Sequence, residues 1–219
     1  MLVALTVPKQ GSYRNIIKML SACLLIIGLV SNYYRVEMPS TNPAFFSQVS
    51  VPLLLNSGEV QTEEAELSIV IWFENGDIPD ETWTKRPTLD WVWTYNQLQT
   101  GPEKVVTLSG HLLVDKNKER DLFKWYTDMQ QELAKTGGLI YIDERVEQAI
   151  DISAYLSKTN ALPAQWSFID NMVSIAAYQS KFLTNVLAGQ DRINIQLLSR
   201  GKNSEGRTVL AIPALLQEF

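Results

Sequence analysis

The spacing of apolar residues in the first half of the chain predicts one short helix and three strands. Apolar residues recur at roughly helical intervals across 43–55, although Pro52 interrupts the pattern. The segment 66–73 (ELSIVIWF) is rich in β-branched and aromatic residues, which is typical of a buried strand. The segment 89–95 alternates between two faces, and 104–114 returns after the turn residues Gly101-Pro102. These two segments therefore predict a hairpin.

The second half contains the strongest helical pattern, in Lys116–Thr136. Its apolar residues recur every three or four positions: Leu122, Tyr126, Met129 and Leu133. Asp115 or Asn117 can cap the start of this helix. Gly137-Gly138 is expected to end the helix and not to form a phosphate loop, because it lacks the lysine and Ser/Thr of such a loop.

The remaining pattern predicts one more helix and four strands, and so an α+β fold. The helix is expected at 144–158 with Asp143 as its cap, and the strands at 139–142, 167–178, 193–198 and 208–216. Pro213 fits only an edge or the end of the last strand. The order of elements predicts two α/β half-repeats that share one antiparallel sheet, with the helices packed on one face.

An uncharged apolar run begins at Met19 and ends at Tyr34, and it predicts a membrane anchor. No acidic residue occurs before Glu37, and three basic residues precede the run: Lys9, Arg14 and Lys18. A helix of this length spans about 24 Å, slightly less than the hydrocarbon core of about 30 Å. Because basic residues favour the cytoplasmic side, the rest of the chain is expected outside the cytoplasmic membrane.

Four segments follow from this prediction: a cytoplasmic basic tail at 1–18, a signal-anchor at 19–34, a tether at 35–42 and an extracytoplasmic α+β domain at 43–219. A cleaved secretory signal is the alternative, in which case the domain is secreted. Cleavage requires small residues at positions −3 and −1, and no such pair follows Val30. A lipidated Cys23 fits poorly because the apolar stretch follows that residue, and a buried core helix does not explain the one-sided basic flank.

Composition excludes several classes of function for the predicted domain. The chain has a net charge of −5, and the residues after Tyr34 have 16 basic and 24 acidic side chains, a net charge of −8. Such a domain repels phosphate backbones, so no nucleic-acid partner is expected. The single cysteine, Cys23, leaves the domain without a disulfide, a thiol nucleophile or a zinc–thiolate site. The single histidine, His111, allows no multi-histidine metal site.

An aromatic row on the predicted strand 89–95 is the candidate binding surface: Trp91, Trp93 and Tyr95. Together with Trp83, this row can form a stacking platform for sugars or peptides. The alternative is that the row is core, because large aromatic residues on one strand face are usually buried. We expect Trp91 and Trp93 to be mainly core, beneath the helix Lys116–Thr136.

The other candidate sites have simpler structural explanations. His111 can act as a general base with Asp90 or Asp115, but a solvated histidine is expected. Two acidic clusters lack the spacing of a calcium loop and are expected to be solvated acids at helix starts: Glu63, Glu64 and Glu66, and Asp143, Glu144 and Glu147. No catalytic residue, cofactor or metal site is predicted.

Short motifs near the end of the chain carry a family resemblance. Ala211-Ile212-Pro213 and the final Glu218-Phe219 are similar to a last strand that ends in glycine, one residue, proline and then Glu-Tyr. The segments 139–142 (LIYI), 174–178 (SIAAY) and 193–196 (INIQ) are also similar. The chain thus resembles the YwmB family, whose members have a TATA-binding-protein-like fold of two α/β repeats. The resemblance covers residues 117–219 and, weakly, the anchor.

The chain departs from that family at three points. Ala211 replaces the glycine, no clear helix is predicted between Phe73 and Leu89, and the first half is one strand short. The resemblance implies an exported, membrane-linked protein and supplies no catalytic residues. We therefore predict a membrane-anchored extracytoplasmic binding or assembly module, non-enzymatic, that meets an envelope protein or glycan. The alternative is a cell-wall-acting hydrolase or transferase that uses acidic residues.

Overall fold

The structure is a computed structural model that describes residues 53–74, 76–87, 91–100, 103–169, 171–201 and 205–216. The predicted tail, anchor and tether, and most of the predicted helix 43–55, lie outside these residues. The strands are β1 (Glu64–Glu74), β2 (Val92–Thr100), β3 (Glu103–Asp115), β4 (Gly138–Val146), β5 (Leu162–Ile169), β6 (Met172–Tyr178), β7 (Val186–Ala188), β8 (Asp191–Ile193), β9 (Ile195–Arg200) and β10 (Arg207–Ile212). The helices are α1 (Leu54–Ser57), α2 (Asp80–Lys85), α3 (Lys116–Thr136) and α4 (Ile152–Thr159).

Eight strands form one antiparallel sheet in the order β2-β3-β1-β4-β10-β9-β6-β5, and β7 pairs with β8 in a separate hairpin. The long strands β1 and β4 are neighbours near its centre. Ser68 of β1 lies opposite His111 of β3 on one side and opposite Asp143 of β4 on the other. The predicted α+β class with one antiparallel sheet is confirmed.

One face of the sheet carries the hydrophobic core, and we call it the helix face. Side chains alternate along β1, and those that point to this face are almost fully buried: Leu67, Ile69, Ile71 and Phe73. Apolar residues of α1, α3 and α4 belong to the same cluster. The predicted stripe of α3 is part of it, since Leu122, Tyr126, Met129 and Leu133 are buried.

Helix α3 spans the predicted residues, and both of its predicted ends are confirmed. The Asp115 carboxylate accepts hydrogen bonds from the backbone N–H groups of Asn117 (2.8 Å) and Lys118 (2.9 Å). These bonds favour the charged carboxylate and lower the pKa of Asp115. At the other end Gly137 has a φ of 75° and donates to the carbonyl of Leu133, which closes the helix.

The helix predicted at 144–158 is wrong in its first half. Strand β4 continues to Val146, and α4 begins only at Ile152 with the Asp151 carboxylate accepting from the N–H of Ala154 (3.0 Å). The physical reason is a pattern of period two. Ile140, Ile142, Glu144 and Val146 are all buried on the helix face, and a helix beginning at Glu144 would break that alternation.

The predicted strand 167–178 is a hairpin of two strands, β5 and β6. The predicted strand 193–198 corresponds to β9, which follows the small hairpin β7–β8. The last strand, β10, ends at Ile212, so Pro213 stands directly after a strand end, as predicted. A helix that the sequence pattern did not indicate, α2, lies between β1 and β2.

Candidate functional site

The face of the sheet opposite the helix face, which we call the reverse face, gathers polar side chains from four strands. Strand register places them in rows that cross β2, β3, β1 and β4. One row holds Val92, His111, Ser68 and Asp143. The rows beside it contribute Thr94 with Ser109, and Glu66 with Arg145. Because these residues come from strands far apart in sequence, only the pairing of the strands brings them together.

A cleft of ≈ 400 Å³ opens on this face. Hydroxyl, amide, imidazole and charged side chains line it: Glu66, Ser68, Thr94, Asn96, Ser109, His111 and Arg145. Ile69 and Gly110 complete the lining. The volume lies at the lower end of the range typical of small-molecule sites.

Arg145 is held at the cleft by Asp143. Its Nε donates to the Asp143 carboxylate at 2.9 Å, and only 14% and 10% of the two side chains remain exposed. The Nη2 atom of Arg145 is buried and has no hydrogen-bond partner among the described residues. A buried donor without an acceptor costs about 1–3 kcal/mol.

The cleft carries little net charge. Burial raises the pKa of Asp143 and the nearby Glu66 carboxylate raises it further, which together outweigh the lowering effect of Arg145. Glu66 lies opposite Arg145 in the β1–β4 register. One guanidinium therefore faces two carboxyl groups, and the other lining side chains carry hydroxyl, amide, imidazole or apolar groups. This composition suits a ligand that is polar but not strongly charged.

His111 is exposed and lies on the reverse face, at the border of the cleft. Of its two predicted acidic partners, Asp115 is used as the cap of α3, and Asp90 lies outside the described residues. His111 can therefore offer a hydrogen bond to a ligand, but the described contacts give it no general-base partner.

The aromatic row predicted as a binding surface lies on the helix face of the edge strand β2, apart from the cleft. Trp91 and Trp93 are half-buried and stack on each other with ring centroids 5.2 Å apart. Gly110 of β3 leaves room for them, because a Cβ there would lie 2.8 Å from ring carbons of both. Tyr95 remains 45% exposed and stacks on Trp83 of α2.

Helix α3, which was expected to cover the tryptophan row, is linked to that row through the α2 segment. Trp93 Nε1 donates to the carbonyl of Pro87 (2.8 Å), just after α2, and Trp125 of α3 donates to the carbonyl of Lys85 at the end of α2 (2.7 Å). The row is therefore half-buried and not full core, since β2 is an edge strand. Whether Trp91, Trp93 and Tyr95 bind a ligand stays a prediction.

The interpretation of the acidic clusters as solvated helix starts is wrong for Asp143 and Glu144, which are buried on opposite faces of β4. Glu144 accepts from the backbone N–H groups of Leu54 and of Leu55 (3.3 Å), at the start of α1. Burial raises the pKa of Glu144 well above its usual value, and the buried Glu119 raises it further. In the described part of the chain, no three His, Cys, Asp or Glu side chains are grouped so that they could hold a metal ion.

Arg145, which lines the cleft from β4, was not among the site residues predicted from the sequence. The signal was present in the polar positions between the buried ones, because Tyr141, Asp143 and Arg145 alternate with isoleucines and Glu144. Treating Glu144 as a helix start hid this second face of the strand.

Among the described residues, no helix is both long and apolar enough to cross a membrane. No protein-family model matches the sequence. A comparison with curated proteins likewise found no match.

Proposed function

We propose that this protein is a binding module of the cell envelope that is anchored outside the cytoplasmic membrane and holds a hydroxyl-rich ligand, such as a glycan segment, on its reverse face. The observation that carries the proposal is the cleft itself, which polar and charged side chains from four strands line. Their hydroxyl, amide and guanidinium groups supply the donors and acceptors that a hydroxyl-rich ligand needs.

The cleft chemistry favours sugars over strongly charged ligands. Ser68, Thr94 and Ser109 offer hydroxyls that both donate and accept, and Asn96 adds an amide. Sugar hydroxyls need such mixed partners at close spacing, which neighbouring strands about 4.8 Å apart provide. Trp72 lies in the same row of the sheet as Asn96, half-buried, as an apolar surface against which a sugar ring can pack.

The location outside the membrane rests on the sequence. The apolar run from Met19 to Tyr34 and its one-sided basic flank support an anchored, exported chain. The alternative of a cleaved signal would give a secreted form of the same module.

We also propose kinship with the YwmB family and its TATA-binding-protein-like fold. The order of strands across the sheet supports this kinship. Next to β1 lie β3 and then β2 on one side, and next to β4 lie β10 and then β9 on the other. Helix α2 follows β1 as α4 follows β4, which supports two half-repeats of unequal size. The strands β5 and β6 extend only the second half.

A wall-acting hydrolase or transferase is the second candidate. The raised pKa of Asp143, beside a cleft, is the feature that favours it, because catalytic acids often have such shifts. The ion pair with Arg145 commits that carboxylate to a positioning contact, and binding remains the better-supported function.

The test compares two neighbouring residues of β2 that point to opposite faces. Asn96 lines the cleft, whereas Gln97 is exposed on the helix face, so Asn96→Ala is the probe and Gln97→Ala the matched control. Binding of the full chain to soluble chito-oligosaccharides and to purified cell-wall glycan is measured by calorimetry and co-sedimentation. We expect Asn96→Ala and His111→Ala to weaken binding at least several-fold and Gln97→Ala to leave it unchanged. Equal binding by all variants, or no binding by the unmodified chain, would contradict the proposal.

A further inference from the structure

The edge strand β5 exposes two aromatic side chains. Trp166 and Phe168 are 69% and 65% exposed, and their rings meet edge to face at 5.3 Å. They share the helix face of the sheet with Ile175 and Val173 of β6, which lie opposite them in register. No described strand pairs with the outer side of β5, and the strand (LPAQWSFI) contains no charged residue. Charged residues are a usual protection of sheet edges; β5 carries none of its own, and the Asp191 carboxylate of β8 accepts a hydrogen bond from Gln165 of β5 (3.0 Å).

The backbone of β5 presents free hydrogen-bonding groups at the same two residues. Ile169 pairs with Met172, so the hairpin closes through a two-residue connection, and such a closing pair is hydrogen-bonded. Hydrogen-bonded and non-hydrogen-bonded pairs alternate along antiparallel strands, which makes Ser167 the next hydrogen-bonded residue. The N–H and C=O groups of Trp166 and Phe168 therefore point away from β6, toward the open edge.

We propose that β5 pairs antiparallel with β5 of a second copy of this chain, around a two-fold axis at Ser167. In this register Trp166 of each copy lies opposite Phe168 of the other and exchanges backbone hydrogen bonds with it. The four rings form one cluster on the helix face, and the two sheets join into one continuous sheet. An isologous contact of this kind closes as a dimer and does not propagate into a filament.

Self-complementarity and charge favour a second copy as the occupant. The two aromatic residues are placed symmetrically about Ser167, so the same strand supplies both halves of the contact. The chain is acidic overall, and a strand with no charged side chain of its own lowers the like-charge repulsion between two acidic copies. The four aromatic side chains bury on the order of 500 Å². Because stable interfaces usually bury about 1,200 Å² or more, we expect a weak dimer, which tethering to one membrane would favour.

Disulfide trapping tests the two-fold axis directly. Non-hydrogen-bonded residues opposite each other have Cα atoms about 4.5 Å apart, within the range that a disulfide spans. The full chain with Cys23→Ser has no other cysteine, so Ser167→Cys in that background reports only the proposed contact. Ser153→Cys, exposed on α4, is the matched control. After mild oxidation in non-ionic detergent, we expect most of the Ser167→Cys chain as a disulfide dimer and the control as monomer.

A charge at the strand gives a second, cysteine-free measurement. Phe168→Lys places two like charges in the cluster of rings, and its exposure means that the monomer should keep its melting temperature. We expect sedimentation velocity to show a concentration-dependent dimer for the unmodified chain and at least tenfold weaker association for Phe168→Lys. Three results would each overturn the proposal: equal trapping by both cysteine variants, a Ser167→Cys chain that stays monomeric although its thiol is reactive, or association unaffected by Phe168→Lys.

Discussion

The buried pair Glu119 and Glu144 leads to a prediction about stability and pH. Glu144 is fully buried, accepts two backbone N–H groups at the start of α1 and is hydrogen-bonded to Glu119, which is itself 1% exposed. Burial and the neighbouring Glu119 make a charge on Glu144 costly, so the fold favours the protonated form of Glu144. Glu144→Gln supplies that proton permanently, since the amide keeps an acceptor for the N–H groups and gains a donor toward Glu119.

The direction in which stability changes with pH follows from the raised pKa of Glu144. A carboxyl group whose pKa is raised by folding contributes its stability fully below its pKa in the unfolded chain, about 4.3 for glutamate. That contribution is lost as the pH rises toward the higher pKa of the folded protein. One such proton changes the free energy of unfolding by about 1.4 kcal/mol per pH unit. We therefore expect the unmodified protein to lose stability as the pH rises above the unfolded-state pKa of glutamate, and Glu144→Gln to lose less over the same range.

Urea unfolding followed by circular dichroism at several pH values measures this difference. Glu144→Ala separates charge from hydrogen bonding, because it leaves the N–H groups of Leu54 and Leu55 without an acceptor and should cost roughly 2–6 kcal/mol at low pH, where Glu144 of the unmodified protein is protonated. Exposed Glu74→Gln is the control and should not change the slope. If Glu144→Gln shows the same pH slope as the unmodified protein, Glu144 does not hold a proton in the folded state and the reasoning is refuted.

Three further predictions concern the tryptophan row and the anchor. Trp93→Ala should lower the free energy of unfolding by about 2–3 kcal/mol, less than for a full core tryptophan, because the side chain is only partly buried, although its hydrogen bond to the Pro87 carbonyl is also lost. An unchanged urea midpoint would mean that the row is not packed. Gly110→Ala should cost about 1–3 kcal/mol, and less in a Trp93→Ala background, because the new Cβ would lie 2.8 Å from the Trp93 ring as well as from the Trp91 ring. Additive costs would exclude the clash with Trp93. Mass spectrometry should find the chain uncleaved, whereas a mature start between Ser31 and Ser40 would show a removed signal.

The elements that sequence reasoning predicted correctly are those with a strong local pattern. Helix α3 has an apolar stripe, a carboxylate cap and a glycine stop, all within one stretch of chain, and its ends were predicted to the residue. The hairpin β2–β3 follows from local alternation, and the buried strand β1 from its β-branched and aromatic residues. These elements could be predicted because their patterns involve only residues a few positions apart in sequence.

The errors occurred where a distant contact decides the structure. Glu144 is a favourable residue for a helix start, yet it is buried in a strand because the N–H groups of Leu54 and Leu55, some 90 residues away, satisfy its oxygens. A sequence pattern records the cost of burying a carboxylate but not the partner that offsets it. Helix α2 was missed for a similar reason, since its six residues carry too short a pattern and depend on packing by Trp83.

The cleft on the reverse face could not be predicted for a geometric reason. Asn96, Ser109, Ser68 and Arg145 have ordinary local surroundings, and each would be read as the solvated face of its strand. They become one site only because β1 lies between β3 and β4 and fixes the register of both. Sliding either neighbour by one residue would send the polar set to the helix face and the core set outward. The packing of Leu67 and Ile69 on the helix face thus prevents the slip and keeps the reverse-face side chains aligned, so the same alternation that stabilises the fold also assembles the cleft.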